Sequence, residues 1–509
     1  MSQPDPADPV AEAAEAMPVS MSARLLRLLR HSAVYGLGSI ASKAVAILLL
    51  PVYVRYLDPA SYGAAEAVLV LDLFTVALVK LGLQNSMMRF YYDQLEHGRG
   101  ELVVRTVMTA MLVSTTIGIA LLVAFARPLA ELFLDDPDKY RYVWIAAFGM
   151  WSSTIYSTLT ATFRLQQRPT AFALTSLANI SLSAVLTLVL VVGFHLEAVG
   201  LLLGNFFGTF LLIPVIGVLQ RRFVLPTRGR GLVREMLAFG LPTMPMAIAN
   251  QGLAMIDRVV LARSSGGLAA LGVYALASRA AQVVMLVVIA LQLSWQPFAY
   301  SIRDDGEARR TYAFVMTYFT ATIGFLVAAA ALLADPLVRL VTVPAYFDAA
   351  RALPLLALAA GIYGMYFIAG IGASRVKKTR FHIVVAGGAL AVSLAANLLL
   401  VPRYGFMGAA VAALLANGTL SLLMFIRSQH VFPVAWHWSR LARVAIVLTV
   451  IMFITYLLPA GELWTLPVRL AALALYPVAL LLMGFLPPAE RAAISRRLRR
   501  RASARQPVS

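Results

Sequence analysis

The sequence predicts an all-α polytopic membrane protein with fourteen transmembrane helices. They form two six-helix bundles related by a pseudo-two-fold axis along the membrane normal, plus two additional C-terminal helices. An apolar composition, uncharged runs of bilayer length and basic residues that alternate between successive connections predict the spans, and an internal repeat of six spans predicts the two bundles. Of the 509 residues, 60% are hydrophobic and 13% charged, against about 25% charged in an average soluble protein. Several apolar stretches exceed the roughly 20 residues that cross about 30 Å of hydrocarbon.

Apolar windows between charged or Pro/Gly-marked breaks place the spans near 32–54, 62–85, 103–126, 142–163, 170–193, 196–219 and 234–261. The remaining seven lie near 267–298, 311–334, 348–373, 380–401, 405–428, 440–459 and 466–486. The corner YLDPASYG between the first two spans reads as a turn, with Asp58 before Pro59 suited to it. All connections are short, so no sizeable soluble domain is expected. Residues 1–20, rich in Pro, Ala and acid, read as a disordered tail. No short apolar region followed by a cleavage site marks a signal peptide.

Basic residues orient the chain. With the N-terminus cytoplasmic, thirty Lys and Arg fall in cytoplasmic segments, including QRRFVLPTRGRGLVR, SRVKKTR and RRLRRRASAR. The outward connections hold nine, among them Arg127, Arg263 and Arg469, and four lie inside spans. This asymmetry follows the positive-inside rule and places both termini in the cytoplasm. The formal net charge of +19 therefore reports topology before it reports a partner such as nucleic acid. The basic C-terminus would also contact anionic inner-leaflet lipid. The absence of cysteine excludes disulfides, thiolate metal sites and cysteine nucleophiles, and six scattered histidines show no metal-binding spacing.

The spans also repeat. YGLGSIASKAV, with a corner in SYG, parallels FGLPTMPMAIA, with a corner in GVY. RLQQRPTAFALTSLANISLSAV parallels SRVKKTRFHIVVAGGALAVSLAAN at nearly the same offset. The expected organisation is a basic cytoplasmic N-terminus (1–31), a first bundle (32–219), a basic linker (220–233) and a second bundle (234–428). Two added helices (440–486) and a basic tail (487–509) follow. Transporters with parallel repeats place their site between the halves, near the membrane midplane.

LLLPVYVRYLDPASYGAAEAVL followed by LGLQNSMMRFYYD resembles the opening of bacterial polysaccharide (O-antigen type) flippases. These belong to the multidrug/oligosaccharidyl-lipid/polysaccharide exporter superfamily. FGLPTMPMAI, IDRVVLARSSGGLAALGVYALASR and LVPRYGFMGAAVAALLAN extend the likeness over about residues 32–428. The resemblance implies two facing bundles with a central cavity in the bacterial inner membrane. It implies alternating access that carries an undecaprenyl-pyrophosphate-linked oligosaccharide from the cytoplasmic to the outer leaflet. It further implies a cationic interior that receives pyrophosphate and acidic sugars, with no cofactor beyond a coupling H+ or Na+. Polymerase and glycosyltransferases of the same pathway are the expected partners.

An ionisable residue near the bilayer centre costs at least about 2.5–3.5 kcal/mol, so each needs a reason. Lys43 in span 1 and Asp72 in span 2 fall at similar mid-depth. They either neutralise one another, or Lys43 meets the pyrophosphate while Asp72 holds it or exchanges an ion. Lys80 lines the cavity or snorkels to headgroups; Arg89 anchors the span or captures pyrophosphate at the inner mouth. Asp257 and Arg258, adjacent on span 7, are expected to take separate partners. Arg279, also a candidate substrate contact, is the expected partner of Asp257, in a structural pair or an outer gate. Asn250 and Gln251 suit sugar hydroxyls, while Asn179, Asn205, Asn397 and Asn417 suit helix–helix bonding. Tyr53, Tyr56, Tyr62, Tyr140, Tyr142, Trp144, Trp436 and Trp438 read as interfacial aromatics.

Within the superfamily, a peptidoglycan-precursor flippase is an alternative. A drug antiporter is disfavoured because a cationic cavity repels organic cations. A membrane polymerase or ligase would need a large outer loop, whereas ARPLAELFLDDPDKYRY is short and its DDPD reads as a solvated corner. Replacing Lys43 by Ala is expected to abolish glycan transport while leaving membrane levels of the protein unchanged, as read by immunoblot and transport assay together.

Overall fold

The computed structural model describes residues 45, 48–225, 227, 230–376, 381–459 and 461–487. They form a bundle of α-helices with no strand among them. Helix α1 (48–56) ends at the Asp58 corner. There the Asp58 carboxylate accepts from Ser61 N–H at 2.7 Å and Pro59 occupies the first turn, so α2 (Pro59–Val79) starts with a side-chain cap. The chain continues through α3 (Leu83–Leu95), α4 (Gly100–Ala124), α5 (Ala126–Leu134), α6 (Tyr140–Leu165), α7 (Pro169–Leu188), α8 (Glu197–Leu219) and the short α9 (Arg221–Val224). Then follow α10 (Arg230–Gly240), α11 (Met244–Ala262), α12 (Gly267–Ser301), α13 (Asp305–Val341), α14 (Ala349–Arg375), α15 (Phe381–Val431), α16 (Trp438–Leu457) and α17 (Leu466–Leu482).

Ten helices of the described residues are long and apolar enough to cross a membrane, and the chain is a multi-pass membrane protein. Side chains such as Leu399, Tyr456 and Leu482 are more than 60% exposed, which suits contact with hydrocarbon rather than water. Two elements differ from simple spans. The segment expected at 234–261 is broken between α10 and α11 by a 3-10 turn, Leu241–Thr243. Pro242 and Pro245 lack the N–H groups that would continue the ladder. In α15, Gly405 adopts φ 54°, ψ −134°, and a β-carbon at Gly408 would lie 2.4 Å from the Leu400 carbonyl oxygen. Eight residues of straight helix rise ~12 Å. The chain therefore turns back at Gly405, dividing the run where the sequence places the break between its spans at 380–401 and 405–428.

The outward connection ARPLAELFLDDPDKYRY is partly helical, and its DDPD forms a largely exposed corner, as expected. It contains α5 and a 3-10 turn, Pro137–Lys139, whose Asp136 carboxylate accepts from Asp138 N–H. Ala126, Ala130, Phe133 and Leu134 bury its apolar face.

Helices from Pro59 to Leu219 pack mainly on one another, as do those from Met244 to Val431. The hub between the groups is α2, which touches α6 and α8 on one side and α11 and α12 on the other. Near the Asp58 corner, α2 crosses α12 with backbones in contact. A β-carbon at Gly63 would sit 1.9 Å from Leu268 O, and one at Gly272 would sit 1.9 Å from Pro59 O. At the far end, Gly82 (φ 68°) meets Gly240, and the Ser86 hydroxyl donates to Met236 O at 2.7 Å. Only glycine fits such an approach without strain. The two groups thus touch at the Asp58 end of α2, while beyond its other end α10 packs on α3 and α4 of the first group.

Helices α16 and α17 dock on α13. Gly324 leaves room for Tyr476, whose hydroxyl donates to Ala321 O at 2.9 Å. Arg469, placed by the sequence in an outward connection, is instead buried and donates to Leu332 O, Pro459 O and Thr465 Oγ1. These oxygens satisfy its donors inside the contact.

Overpacking a tight crossing typically costs about 1–3 kcal/mol. Gly63→Ala and Gly272→Ala are each expected to destabilise the detergent-solubilised protein by at least that much in thermal unfolding. Gly217→Ala, whose added β-carbon would meet nothing within 4 Å, is the control expected to leave the melting temperature unchanged.

Candidate functional site

Seven residues beyond Pro59, roughly 10 Å along α2, Glu66 faces α11 and α12. Its carboxylate accepts from Arg279 Nη2 at 2.8 Å and pairs with Arg258 Nε at 3.5 Å. Arg258 Nη1 also donates to both Asp257 oxygens, at 3.1 and 3.2 Å, and to Ala254 O at 2.7 Å. The Tyr274 hydroxyl donates to Asp257 Oδ2 through a short hydrogen bond, and the Arg258 guanidinium lies 5.7 Å from the Tyr274 ring centroid. Glu66, Asp257 and Tyr274 are all buried. The cluster joins the two helix groups: Glu66 comes from α2, both arginines and Asp257 from α11 and α12.

The pairing differs from that expected. Arg279 meets Glu66 rather than Asp257, because seven residues past Gly272 it stands level with Glu66 across the glycine crossing. Asp257 and Arg258 do not take separate partners; the long arginine side chain folds back along α11 to reach its neighbour's carboxylate. Glu66 was not singled out from sequence. Its signal is an acid two turns before Asp72 in the same apolar run, SYGAAEAVLVLDLF. Tyr274 is the tyrosine of the repeated GVY corner.

Two cavities flank the cluster. One, of about 170 Å³, is lined by Tyr53, Tyr62, Asn179, Ser183, Thr187, Asn205 and Arg279. The other, of about 510 Å³, is lined by Gln251, Asp257, Arg258, Tyr274, Gln282 and Asn417. Asn205 and Asn417 end the similar stretches LEAVGLLLGN and YGFMGAAVAALLAN, which continue the repeated segments. Tyr62, expected among interfacial aromatics, is instead buried, its hydroxyl unpartnered and its ring edge-on to Tyr346 at 6.3 Å. Tyr346 in turn donates to Leu57 O at 3.0 Å. Trp436 is likewise buried, donating to Gln429 Oε1, whereas Trp438 is exposed.

The remaining candidates lie apart from the cluster. Lys43, and with it the Lys43–Asp72 pair, falls outside the described residues, as does the side chain of Asn250. Asp72 is buried on α2 with Oδ1 lacking a hydrogen-bond partner, within electrostatic reach of the Ser153 hydroxyl and Lys80. Lys80 caps α2, half-buried, and also feels the charge of Arg164. Gln251 donates to Leu73 O at 3.4 Å, a second tie between α11 and α2. Arg89 is exposed, 4.0 Å from Asp93 and 4.6 Å from the Phe239 ring centroid, at the contact of α3 with α10. Asn179 donates to Thr209 Oγ1 across α7 and α8, while Asn397 and Asn417 donate to carbonyls of their own helix. No group of three or more potential metal ligands exists among the described residues.

A family profile described as polysaccharide biosynthesis protein matches residues 52–351. No curated protein sequence matches the chain. Among solved structures, the lipid II flippase MurJ in an inward closed conformation is similar with a TM-score of 0.70 at 12% identity, covering 88% of this chain and 97% of that one. An inward-facing multidrug resistance MATE family transporter of the MOP superfamily gives 0.63 at 13% identity, covering 79% and 96%. The Vibrio cholerae MATE transporter VcmN gives 0.54 at 18% identity, covering 82% and 98%. At such identities these likenesses describe the fold.

Tyr274→Phe removes the donor to Asp257 and leaves a buried carboxylate oxygen short of a partner. A loss of about 1–3 kcal/mol is expected, read as a lower midpoint in chemical unfolding of the purified protein.

Proposed function

Since this chain belongs to the family of polysaccharide biosynthesis proteins, we propose that it is a flippase for undecaprenyl-pyrophosphate-linked oligosaccharide. It carries that lipid from the cytoplasmic to the outer leaflet by alternating access of two six-helix bundles, with both termini cytoplasmic, for surface polysaccharide synthesis. The observation that carries this reading is the partly buried pair Arg258 and Arg279, held at the crossing of the two helix groups by the buried Glu66. Arginine in the interior of a membrane protein is costly and marks a substrate or ion pathway. Its planar fork of donors suits phosphate oxygens better than an ammonium does. The cavities beside the arginines offer amide and hydroxyl groups to a sugar.

The function is transport, without covalent change to the lipid: the protein lowers the barrier to moving a charged headgroup through hydrocarbon. Asp72, buried with a free oxygen on α2, is the residue we assign to H+ or Na+ coupling. Polymerase and glycosyltransferases of the same pathway are its natural partners. Transport of a peptidoglycan lipid precursor is the second reading, favoured by the likeness to the lipid II flippase fold; both cargoes present the same pyrophosphate.

The test is the purified chain in vesicles containing a labelled undecaprenyl-pyrophosphate oligosaccharide, with outer-leaflet exposure followed over time. Exposure is expected to rise well above that of protein-free vesicles. The Arg258→Ala/Arg279→Ala double variant is expected to lose at least tenfold in rate. A wild-type chain that moves no pyrophosphate-linked glycan overturns the reading.

A further inference from the structure

Glu66 occupies a particular place in the charge balance of the site. Two arginines and two acids make the cluster neutral as it stands, and a neutral cluster has little attraction for an anionic cargo. The two acids are not equivalent. Asp257 sits beside Arg258 on α11 and is also held by Tyr274 of α12. It therefore stays with the arginines however the helix groups move. Glu66 comes from α2, across the glycine crossing. Separating the groups at the Asp58 end withdraws Glu66 and leaves one net positive charge on α11 and α12.

The cavities add a second, independent observation. Arg279 lines the cavity of about 170 Å³ and Arg258 the cavity of about 510 Å³. Glu66 lines neither. It bridges the two guanidiniums, while each arginine also lines a space large enough for a phosphate or sugar group. Since Glu66 lines neither space, an anion in either one meets an arginine rather than the carboxylate. Among the described residues Arg279 has one carboxylate partner, Glu66, at 2.8 Å, so an anion in its cavity competes directly for the same donors. The contacts nearby belong to the same closure: Gly63 on Gly272, and Tyr346 on Leu57 O.

We propose that Glu66 is a resident stand-in for the cargo's anion. It is a positioning residue that latches the Asp58 end shut on Arg258 and Arg279, and the cargo's pyrophosphate releases it by taking its place. This rests on the flippase reading above and adds to it a coupling rule. The empty protein keeps its Asp58 end closed because the internal carboxylate satisfies the arginines. The loaded protein opens there because the cargo does so instead. After the cargo leaves, Glu66 returns and the end closes. Anion affinity and opening are linked, so each shifts the other by the same factor.

The test uses the full chain in nanodiscs, with probes on cysteines placed at exposed Arg141 and Arg263, one on each helix group. The native chain has no cysteine to interfere. The added ligand is undecaprenyl pyrophosphate, with undecaprenol as the uncharged control. In the wild-type background the pyrophosphate lipid is expected to add a longer-distance population, and undecaprenol to add none. Glu66→Gln is expected to show that population without ligand and to bind the pyrophosphate lipid about tenfold more tightly, because the internal competitor is gone. Glu66→Asp, which keeps the charge on a shorter side chain, is expected to fall between. A purely structural Glu66 gives the opposite sign: Glu66→Gln would disorder the arginines and bind more weakly. Weaker or unchanged binding in that variant overturns the latch. Should that variant not fold, wild-type protein that binds the lipid with no change in distance overturns it equally. In both cases the flippase reading stands. Wild-type protein that does not bind the pyrophosphate lipid at all overturns both.

Discussion

The contact of α2 with α12 at Gly63 and Gly272 sets the position of everything at the site. With both β-carbons absent, each backbone lies against the other, and the side chains one and two turns further along are brought into register across the crossing. Glu66 is three residues beyond Gly63 and Arg279 seven beyond Gly272, and they meet at 2.8 Å. A larger residue at either glycine would push the helices apart by more than an ion pair can span. The same economy operates at the far end of α2, where Gly82 lies against Gly240. Close glycine approaches thus bracket α2, one against α12 and one, just past its end, against α10.

Burying four charges within a membrane protein is tolerable only as a set. Removing one partner of a buried ion pair typically costs about 3–5 kcal/mol, because the other charge is left uncompensated. In this cluster the compensation is divided unequally, with one acid drawn from α2 and the other from α11 beside the arginine it serves. A protein that only needed a firm joint could have placed apolar side chains there at no greater expense.

Much of this architecture was legible in the sequence because its signals are one-dimensional. Apolar run length located the long apolar helices, and Asp58–Pro59 marked the corner. Arg258 and Arg279 stood out as charges inside apolar runs. What was not legible depends on azimuth rather than depth. Glu66 and Asp72 share one run, and only the crossing decides which of them meets arginine. Tyr62 and Trp436 look like interfacial aromatics from their place near span ends, yet packing of neighbouring helices buries them. Arg469 sits in a predicted outward connection, and the docking of α17 on α13 turns it inward onto three oxygens.

The proline break between α10 and α11 separates two allegiances within what hydropathy reads as a single span. Below it, α10 is bonded to α3 through Gly82, Ser86 and Phe239. Above it, α11 carries Asp257 and Arg258 and packs on α12 and α15. Between them lies one 3-10 turn, where the Thr243 hydroxyl covers the carbonyl of Gly240 at 2.7 Å. A continuous helix behaves as a stiff rod and would oblige both ends to tilt together. A rod cut at its middle and rejoined by a single turn works as a knuckle. Helix α11 can then shift with α12 and α15 while α10 stays fastened to α3, so that the two halves of one apolar stretch need not tilt together.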